Sequence, residues 1–290
     1  MPTAQVNGVE LYYEETGQGY PLILSHEFAG DYRSWEPQVR FFARRYLVIT
    51  LNYRGYPPSE VPEDPEAYSE EQLVEDLAGL LRHLRIDQAH IAGLSMGGAI
   101  TLKLSIAHPE LCRSLVIAGA GSGTVNKEQF VREGLAQADR FEHHPQHAFE
   151  VYARGPARLQ FKQKDPRGWQ EFADQLAGHS PQGSARIMRG VQARRKSIYE
   201  VESQLGGVEV PALIIVGDED EPCLDPALFM KRKLPNAGLV TLPKSGHTIN
   251  LEEPALFNQA MLDFLTAVEH GSWRPRGEVT LSLLPAEARA

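Results

Sequence analysis

The chain has 290 residues, 42% hydrophobic and 23% charged, a mixture that can fill a globular core and excludes a wholly disordered, collagen-like or coiled-coil chain. Its 29 basic and 38 acidic side chains leave a net charge of −9, which argues against nucleic-acid binding. No apolar stretch approaches the roughly 20 residues that span a bilayer, no secretory signal is visible, and two cysteines cannot build a disulfide framework. We therefore expect a cytoplasmic protein without nucleic-acid or membrane partners, and the sequence leaves a homodimer open.

The first sixty residues predict three strands, a helix and a fourth strand. An Asn7-Gly8 pair between two extended segments indicates a tight hairpin. Residues 20–25 and 46–51 are short and continuously apolar, as in strands that are buried on both faces of a sheet. Residues 34–45 between them favour a helix.

Beyond this segment, predicted strands and helices alternate at regular spacing. The helices are predicted over residues 69–84, 96–107, 226–234 and 254–268, and the strands over residues 89–94, 114–118, 212–216 and 239–242. Such alternation favours right-handed crossovers and a mainly parallel sheet with helices on both faces. The sequence thus predicts an α/β fold.

The alternation stops between about residues 124 and 206, where helical patches and scattered proline and glycine replace the strands. Residues 125–204 carry 13 basic and 10 acidic side chains, whereas the rest of the chain carries 16 and 28. An insertion of this size suits a helical lid over one edge of the sheet. The predicted units are a core of residues 1–123 and 207–270, a lid of residues 124–206 and a C-terminal tail of residues 271–290. The apolar run 279–284 in that tail fits either a tail or a pairing strand.

A G-x-S-x-G pentapeptide, Gly93-Leu94-Ser95-Met96-Gly97, joins a predicted strand to a predicted helix. This context is typical of a nucleophile elbow, in which a strained turn raises the serine hydroxyl above the sheet and the glycines let strand and helix pass closely. The alternative is that the glycines only pack a strand–helix turn. We predict that Ser95 is a nucleophile.

A serine hydroxyl needs a base to take its proton, and the base needs a carboxylate to orient it. Of the ten histidines, only His247 follows the last predicted strand and opens a loop before the final helix. Asp220, three residues past Gly217, is the first choice for the acid, and Asp218 is the alternative. The chain order Ser95, Asp220, His247 is nucleophile, acid, base.

With these features the chain resembles α/β-hydrolase fold proteins over roughly residues 6–267. The resemblance implies a mainly parallel, eight-stranded, doubly wound sheet with an inserted lid, or cap. It also implies a serine hydrolase that cleaves a small-molecule carboxylic ester or lactone through a catalytic triad and an acyl-enzyme. Lid-bearing esterases, enol-lactonases and carbon–carbon hydrolases resemble the layout most, so hydrolysis of a diketone or ring-fission product is an alternative. A non-catalytic ligand receptor of the same fold is another.

The segment that follows the strand at residues 20–25 departs from the family. The family usually has His-Gly there, followed by a residue whose backbone N–H binds the oxyanion; the resemblance gives that function to Phe28, with Met96 as the second donor. Glu27 stands where the family has glycine. In dienelactone hydrolases a glutamate in a similar loop helps to manage the nucleophile's proton, so Glu27 is a candidate auxiliary residue, and a surface-pointing Glu27 is the alternative.

His26 and Arg33 are further auxiliary candidates beside Glu27. Arg33 meets a substrate carboxylate, caps the following helix or pairs with Asp31. The segment from Asn52 to Ser59 resembles the family's D-x-R-G-x-G-x-S, with Asn52 and Pro57 as departures that imply a differently shaped loop.

Other charged residues of the lid are weaker candidates. The lid histidines His143, His144 and His147 are interpreted as a solvated face, and we expect neither a metal nor a cofactor. Five basic lid residues either attract an anionic substrate or form a solvated face: Arg186, Arg189, Arg194, Arg195 and Lys196.

Overall fold

An eight-stranded sheet forms the centre of the computed structural model, which describes residues 2–275 and 277. The strands are β1 (Thr3–Val6), β2 (Val9–Gly17), β3 (Tyr20–Ser25), β4 (Tyr46–Leu51), β5 (Ala89–Leu94), β6 (Cys112–Ala118), β7 (Ala212–Gly217) and β8 (Ala237–Leu242). Their order is β1-β2-β4-β3-β5-β6-β7-β8; β2 pairs antiparallel with β1 and β4, and the other neighbours are parallel. The predicted mainly parallel, eight-stranded sheet is confirmed.

Sequence patterns account for these strands. Asn7 and Gly8 have φ of 45° and 78° and form the predicted hairpin turn between β1 and β2. Every residue of β5 and β7 is buried, in line with their continuous apolar sequences and with a sheet that is covered on both faces.

The helices lie in connections between the strands and after β8. They are α1 (Glu36–Phe42), α2 (Glu70–His83), α3 (Met96–Ala107), α4 (Lys127–His143), α5 (Pro145–Ala153), α6 (Leu159–Lys164), α7 (Pro166–Ala177), α8 (Pro181–Ile187), α9 (Glu202–Leu205), α10 (Glu221–Lys233), α11 (Ile249–Glu252) and α12 (Pro254–Glu269). A π-helical turn, Met188–Gln192, continues α8. Among the described residues, no helix combines the length and the apolar character needed to cross a membrane.

Two predicted helices have wrong boundaries. The helix predicted over residues 34–45 is shorter, because a 3₁₀ turn capped by Asp31 precedes it and Pro37 sits in the first turn of α1, where no N–H is needed. Helix α10 begins at Glu221 rather than at Pro226. Pro222 occupies its first turn, and Pro226 lies inside the helix at the expense of one backbone hydrogen bond.

Each face of the sheet has its own apolar cluster, since alternate strand residues point to opposite faces. Leu22 and Leu24 of β3 belong to the cluster that includes side chains of α1 and α12. Ile23 between them belongs to the other cluster, with side chains of α2, α3 and α10. The sheet is therefore sandwiched between two helical layers.

The helices α4 to α9 lie between β6 and β7, within the segment predicted as the lid; we keep the name lid for residues 124–206. Their apolar side chains, among them Phe141 and Phe161, are buried in the same cluster as α2 and α3. The exact division into core, lid and tail stays a prediction. The apolar run 279–284 lies outside the described residues.

Candidate active site

Ser95 occupies the sharp turn between β5 and α3. Its φ of 55° and ψ of −109° are strained for a residue with a side chain, and its N–H donates to the carbonyl of Ala118 at 2.8 Å. A Cβ on Gly93 would lie 2.2 Å from the carbonyl oxygen of Gly97, and one on Gly97 would lie 2.1 Å from that of Ser25. Both glycines are therefore required for strand and helix to pass at this distance.

Asp220 and His247 meet beyond the carboxyl ends of β7 and β8. The Nδ1–H of His247 donates to Oδ2 of Asp220 at 2.7 Å, and both side chains are buried. Asp218, the alternative acid, is exposed and accepts the backbone N–H of Ser245 at 3.1 Å instead. Burial disfavours the imidazolium, but the adjacent Asp220 carboxylate outweighs it and raises the pKa of His247 well above its ordinary value.

The thiol of Cys223 lies beside this pair. Its Sγ donates to the carbonyl of Gly119 at 3.3 Å, and burial raises the pKa of the thiol. Asp220, Cys223 and His247 offer ligand atoms within 4.8 Å of one another, the one such group among residues 2–275 and 277. Because Nδ1 of His247 already donates to Asp220, the arrangement suits a hydrogen-bonded dyad better than a metal ligand set.

A cavity of about 850 Å³ lies between the sheet and the lid. Ser95, His247 and Phe28 line it from the core, and Tyr152 and Arg158 are among the lid residues that line it. The predicted nucleophile and base thus line the same cavity, which is large enough for a small organic molecule.

Glu27 is buried beneath the lid. Its side chain is 2% exposed, so a surface-pointing Glu27 is wrong, and its Oε2 accepts a hydrogen bond from Nη2 of the equally buried Arg158. Nη1 of Arg158 also donates to Oγ1 of Thr248 at 2.5 Å. Arg158 therefore joins the loop that precedes Phe28 to the loop that carries His247.

His26 is a fully buried residue of the same loop. Its Nδ1 lies 2.7 Å from the carbonyl of Glu27, and its Nε2 accepts the N–H of Tyr53 at 3.2 Å. A carbonyl only accepts and an amide N–H only donates, so these partners fix the neutral tautomer with the proton on Nδ1. Burial lowers the pKa of His26 to about 4, which keeps the ring uncharged.

Of the two predicted oxyanion donors, Phe28 lines the cavity, and Met96 directly follows Ser95, which also lines it. The carbonyl of Phe28 accepts the hydroxyl of Tyr56 at 2.9 Å, and its ring packs 5.3 Å from that of Tyr152. Met96 is the first residue of α3, where backbone N–H groups have no partner within the helix. Both amides lie just beyond the carboxyl ends of strands: Phe28 is in the loop after β3, and Met96 begins α3 after β5.

Arg33 pairs with Asp31, one of its predicted alternatives. Its Nε donates to both carboxylate oxygens of Asp31, at 3.0 and 3.1 Å, and Nη2 makes a 2.5 Å contact with Oδ2. Arg33 is not among the lining residues of the cavity within the described chain.

The five basic lid residues separate into two groups. Arg186 donates to the carbonyl of Pro62, Arg189 pairs with acidic residues of α4, Arg194 lies 3.5 Å from Glu66, and Lys196 is exposed. Arg195 instead lines the cavity. The histidines His143, His144 and His147 are exposed, as predicted.

Sequence reasoning missed Arg158 and Glu252. Glu252 accepts the backbone N–H groups on either side of His247, that of Gly246 at 2.7 Å and that of Thr248 at 3.0 Å. Glu252 lies at the end of α11, shortly after His247 in the sequence, and this closeness is the only signal that could have suggested its contacts. The basic surplus of the lid indicated cations over the site but could not single out Arg158.

Comparison with known proteins finds similar sequences and structures. A model of the α/β hydrolase fold family matches residues 20–254. The chain is 33% identical over 274 residues to the dihydrolipoyllysine-residue acetyltransferase component of an acetoin cleaving system from Pseudomonas putida, which covers 90% of this chain and 68% of the relative. It is 28% identical over 264 residues to 3-oxoadipate enol-lactonase 2 of Acinetobacter baylyi, covering 89% and 94%. The enol-lactonase structure from Burkholderia xenovorans superposes with a TM-score of 0.80 at 25% identity, covering 91% of this chain and 100% of that one.

Proposed function

The chain belongs to the α/β-hydrolase fold family and is a hydrolase, and on that premise we propose that it cleaves a carboxylic ester or lactone of a small molecule. The observation that carries this proposal is the 2.7 Å hydrogen bond between His247 and Asp220 in a cavity that Ser95 also lines. A serine on a strained turn, a base and an orienting carboxylate are the set that nucleophilic acyl transfer needs.

In the proposed acylation step, Nε2 of His247 takes the proton of the Ser95 hydroxyl while Oγ attacks the substrate carbonyl carbon. The carbonyl π electrons move to its oxygen, and the N–H groups of Phe28 and Met96 bind that oxyanion. Asp220 stabilises the imidazolium without taking its proton. Collapse of the intermediate breaks the bond to the alcohol oxygen, which leaves with the proton from His247.

In the deacylation step, water replaces the alcohol. His247 takes a proton from the water as its oxygen attacks the acyl carbon, and a second tetrahedral intermediate forms in the same oxyanion site. Its collapse releases the carboxylic acid and returns the proton to Ser95. One oxyanion donor typically contributes about 10² to 10³ in rate.

Glu27 and His26 are assigned positioning functions. Oε2 of Glu27 binds Arg158, and His26 has one amide and one carbonyl partner. Neither residue is among the described residues that line the cavity, so we assign neither a proton exchange with substrate. Both hold the backbone of the loop that presents the Phe28 amide. No substrate contact is proposed for Arg33.

Two alternatives from the sequence use the same residues. Hydrolysis of a carbon–carbon bond in a diketone would need the same nucleophile and base, and a ligand receptor would need only the cavity. Assays of a p-nitrophenyl ester, a lactone and a diketone under identical conditions separate ester or lactone cleavage from carbon–carbon cleavage.

A fluorophosphonate probe tests the nucleophile directly. We expect the wild-type protein to be labelled at Ser95 and to hydrolyse a short p-nitrophenyl ester, and Ser95→Ala to lose both signals. An unlabelled, inactive wild-type protein would favour a receptor, and activity retained by Ser95→Ala would remove Ser95 from the mechanism.

A further inference from the structure

The guanidinium of Arg195 faces the cavity without a carboxylate partner. Among the residues that the structure describes, no acidic side chain lies within 4.0 Å of it; Nη2 donates to the carbonyl of Ser122 at 2.8 Å, and the group stacks 5.5 Å from the centre of the Phe130 ring. Glu70 acts on it only through space and has its own ion pair with Lys103 at 3.5 Å. A cation that is held in place but not neutralised is suited to bind an anion.

Gln192 supplies a second, independent sign of a ligand. Its side chain is 5% exposed and lines the same cavity, and its Oε1 has no hydrogen-bond partner. An unpaired buried carbonyl is destabilising, so such a group is normally satisfied by a ligand or water. Gln192 ends the π-helical turn that precedes Arg195, and turns of this kind are frequent at functional sites.

From these two residues we propose that the lid end of the cavity is a carboxylate subsite, so that the ester or lactone substrate carries an anionic carboxylate besides its scissile carbonyl. This inference rests on the proposed function and adds the class of substrate to it. Arg195 donates two parallel hydrogen bonds to the carboxylate, and the Gln192 amide rotates so that its NH₂ donates to the same carboxylate.

Three arginines line the cavity, but Arg158 is paired with Glu27, and Arg140 is exposed and binds Gln137. The remaining guanidinium, that of Arg195, with one amide suits a singly charged, planar carboxylate better than a phosphate, which usually draws several cations or a helix N-terminus.

The acidic residues of the lining do not neutralise Arg195. Asp220 is buried but paired with His247. Glu133, Glu219 and Glu221 are exposed, so water screens them, whereas burial lowers the pKa of the Arg195 guanidinium and strengthens its field inside the cavity.

The subsite is close to the proposed catalytic residues. Arg195 binds the backbone of Ser122, whose Oγ lies 3.4 Å from Sγ of Cys223, and Cys223 lies against His247. The substrate is therefore expected to be small, with only a short chain between its carboxylate and its scissile carbonyl.

The kinetic test uses two pairs of esters that differ only in charge. On the acyl side, p-nitrophenyl hydrogen glutarate is compared with its neutral amide isostere; on the alcohol side, 4-carboxyphenyl butyrate is compared with 4-carbamoylphenyl butyrate. A hydrogen bond to a charged group contributes about 1.5–3 kcal/mol. We therefore expect kcat/KM of the wild-type protein to favour the anionic member of one pair by about 10- to 100-fold.

The ratio of kcat/KM for the anionic ester to kcat/KM for its neutral partner should fall by the same factor in Arg195→Met. It should fall less in Arg195→Lys. Arg194→Met is the matched control, because Arg194 is the neighbouring, exposed arginine that lies near Glu66, and it should leave the ratio unchanged. If Arg195→Met lowers both members of each pair equally, or lowers neither, Arg195 only holds the lid and the proposal is overturned.

Calorimetry separates this proposal from the proposed function. Glutarate should bind to the Ser95→Ala protein and bind at least tenfold more weakly when Arg195→Met is added, with Arg194→Met again as control. If glutarate binding depends on Arg195 but the wild-type protein hydrolyses none of the esters, the hydrolytic mechanism is refuted and the subsite is supported. Glutarate binding that is indifferent to Arg195, together with unaltered ester ratios, would refute the subsite alone.

Discussion

Glu27 of the loop after β3 and Arg158 of the lid form a buried ion pair, and each side chain is 2% exposed. Because Arg158 also binds Thr248, one guanidinium connects the lid to the loop of the proposed oxyanion donor Phe28 and to the loop of the proposed base His247. The backbone N–H of His247 approaches the carbonyl of Ala157, next to Arg158, at 3.4 Å, which adds a second contact between these parts. The glutamate that replaces the family's glycine thus fastens the lid.

Breaking this pair should cost stability and activity together. Glu27→Gln leaves the Arg158 guanidinium buried without a compensating charge, for which a loss of about 3–5 kcal/mol in the free energy of unfolding is expected. Urea unfolding measures this loss, and ester hydrolysis should show a lower kcat/KM because the Phe28 amide is no longer held in place.

The double variant Glu27→Met with Arg158→Met is the control for that experiment. Replacing both charges by apolar groups removes the unpaired ion, so the stability should return to within about 1–2 kcal/mol of the wild-type protein. The activity should stay low, since the connection between the loops is still missing. A stable and fully active Glu27→Gln protein would contradict the fastening function.

The pH dependence of hydrolysis should report the Asp220–His247 pair. His247 acts as a base only when it is neutral, and its pKa is raised well above the ordinary value of about 6.5 by Asp220. Activity should therefore rise with pH through a midpoint above that value. Asp220→Asn should move the midpoint to lower pH and reduce kcat by about 10⁴-fold, the effect of the same substitution in a serine protease triad.

Asp218→Asn is the matched control, because Asp218 is exposed and, within the described part of the chain, its side chain accepts a hydrogen bond only from the backbone N–H of Ser245. The pH–rate profile of this variant should superpose on that of the wild-type protein. A profile that shifts with Asp218→Asn but not with Asp220→Asn would reverse the assignment of the acid.

The fold was predictable because its signals are local. Continuous apolar runs such as β5 and β7, the Asn7-Gly8 turn and the alternation of strand and helix patterns each act over a few residues. The positions of Ser95, Asp220 and His247 follow from the same patterns, because parallel strands bring their carboxyl ends to one edge of the sheet. The starts of helices were harder to predict. A proline can stand at the beginning of a helix or within its first turns, and α10 contains one of each, Pro222 and Pro226.

The lid contacts were not predictable from sequence. Glu27 and Arg158 are 131 positions apart, and their pairing depends on how several short helices pack over the sheet. Arg194 and Arg195 are neighbours with the same chemistry, yet of the two only Arg195 lines the cavity, because adjacent side chains of the turn after Gln192 point in different directions. A pattern of charges along the chain carries no information of that kind.

The close approach at the elbow gives a third prediction. A Cβ at Gly97 would meet the backbone carbonyl of Ser25 at 2.1 Å, so Gly97→Ala must displace α3 or β3. Overpacking of this kind costs about 1–3 kcal/mol or more, and a displacement of about 1 Å at the nucleophile can cost 10²-fold in rate. Unfolding and ester hydrolysis should both show the loss.

Gly206→Ala serves as the control for Gly97→Ala. A Cβ at Gly206 would have no atom within 4 Å, and the residue has φ of −64°, which any amino acid adopts. This variant should keep its activity and gain at most about 1 kcal/mol of stability. Equal effects of the two substitutions would show that the elbow tolerates a side chain at position 97.

The buried His26 should make the protein less stable in acid. Its pKa is about 4 in the folded protein, whereas an exposed histidine in the unfolded chain has a pKa of about 6.5. Between these values the unfolded chain binds a proton that the folded protein does not, so stability is lost as pH falls through this window. Between about pH 7 and about pH 4.5 the loss from His26 amounts to about 2 kcal/mol.

His26→Asn removes the titrating group and should reduce that difference in unfolding free energy by about 2 kcal/mol. Each protein is compared with itself at the two pH values, so any constant destabilisation by the substitution cancels. Part of the loss of unfolding free energy between the two pH values should remain in the variant, because burial also lowers the pKa of His90 to about 4. If wild type and His26→Asn lose the same amount of stability in acid, His26 is protonated in the folded protein. Its tautomer is then not fixed by Glu27 and Tyr53, and it cannot hold the loop of Phe28 in the way proposed.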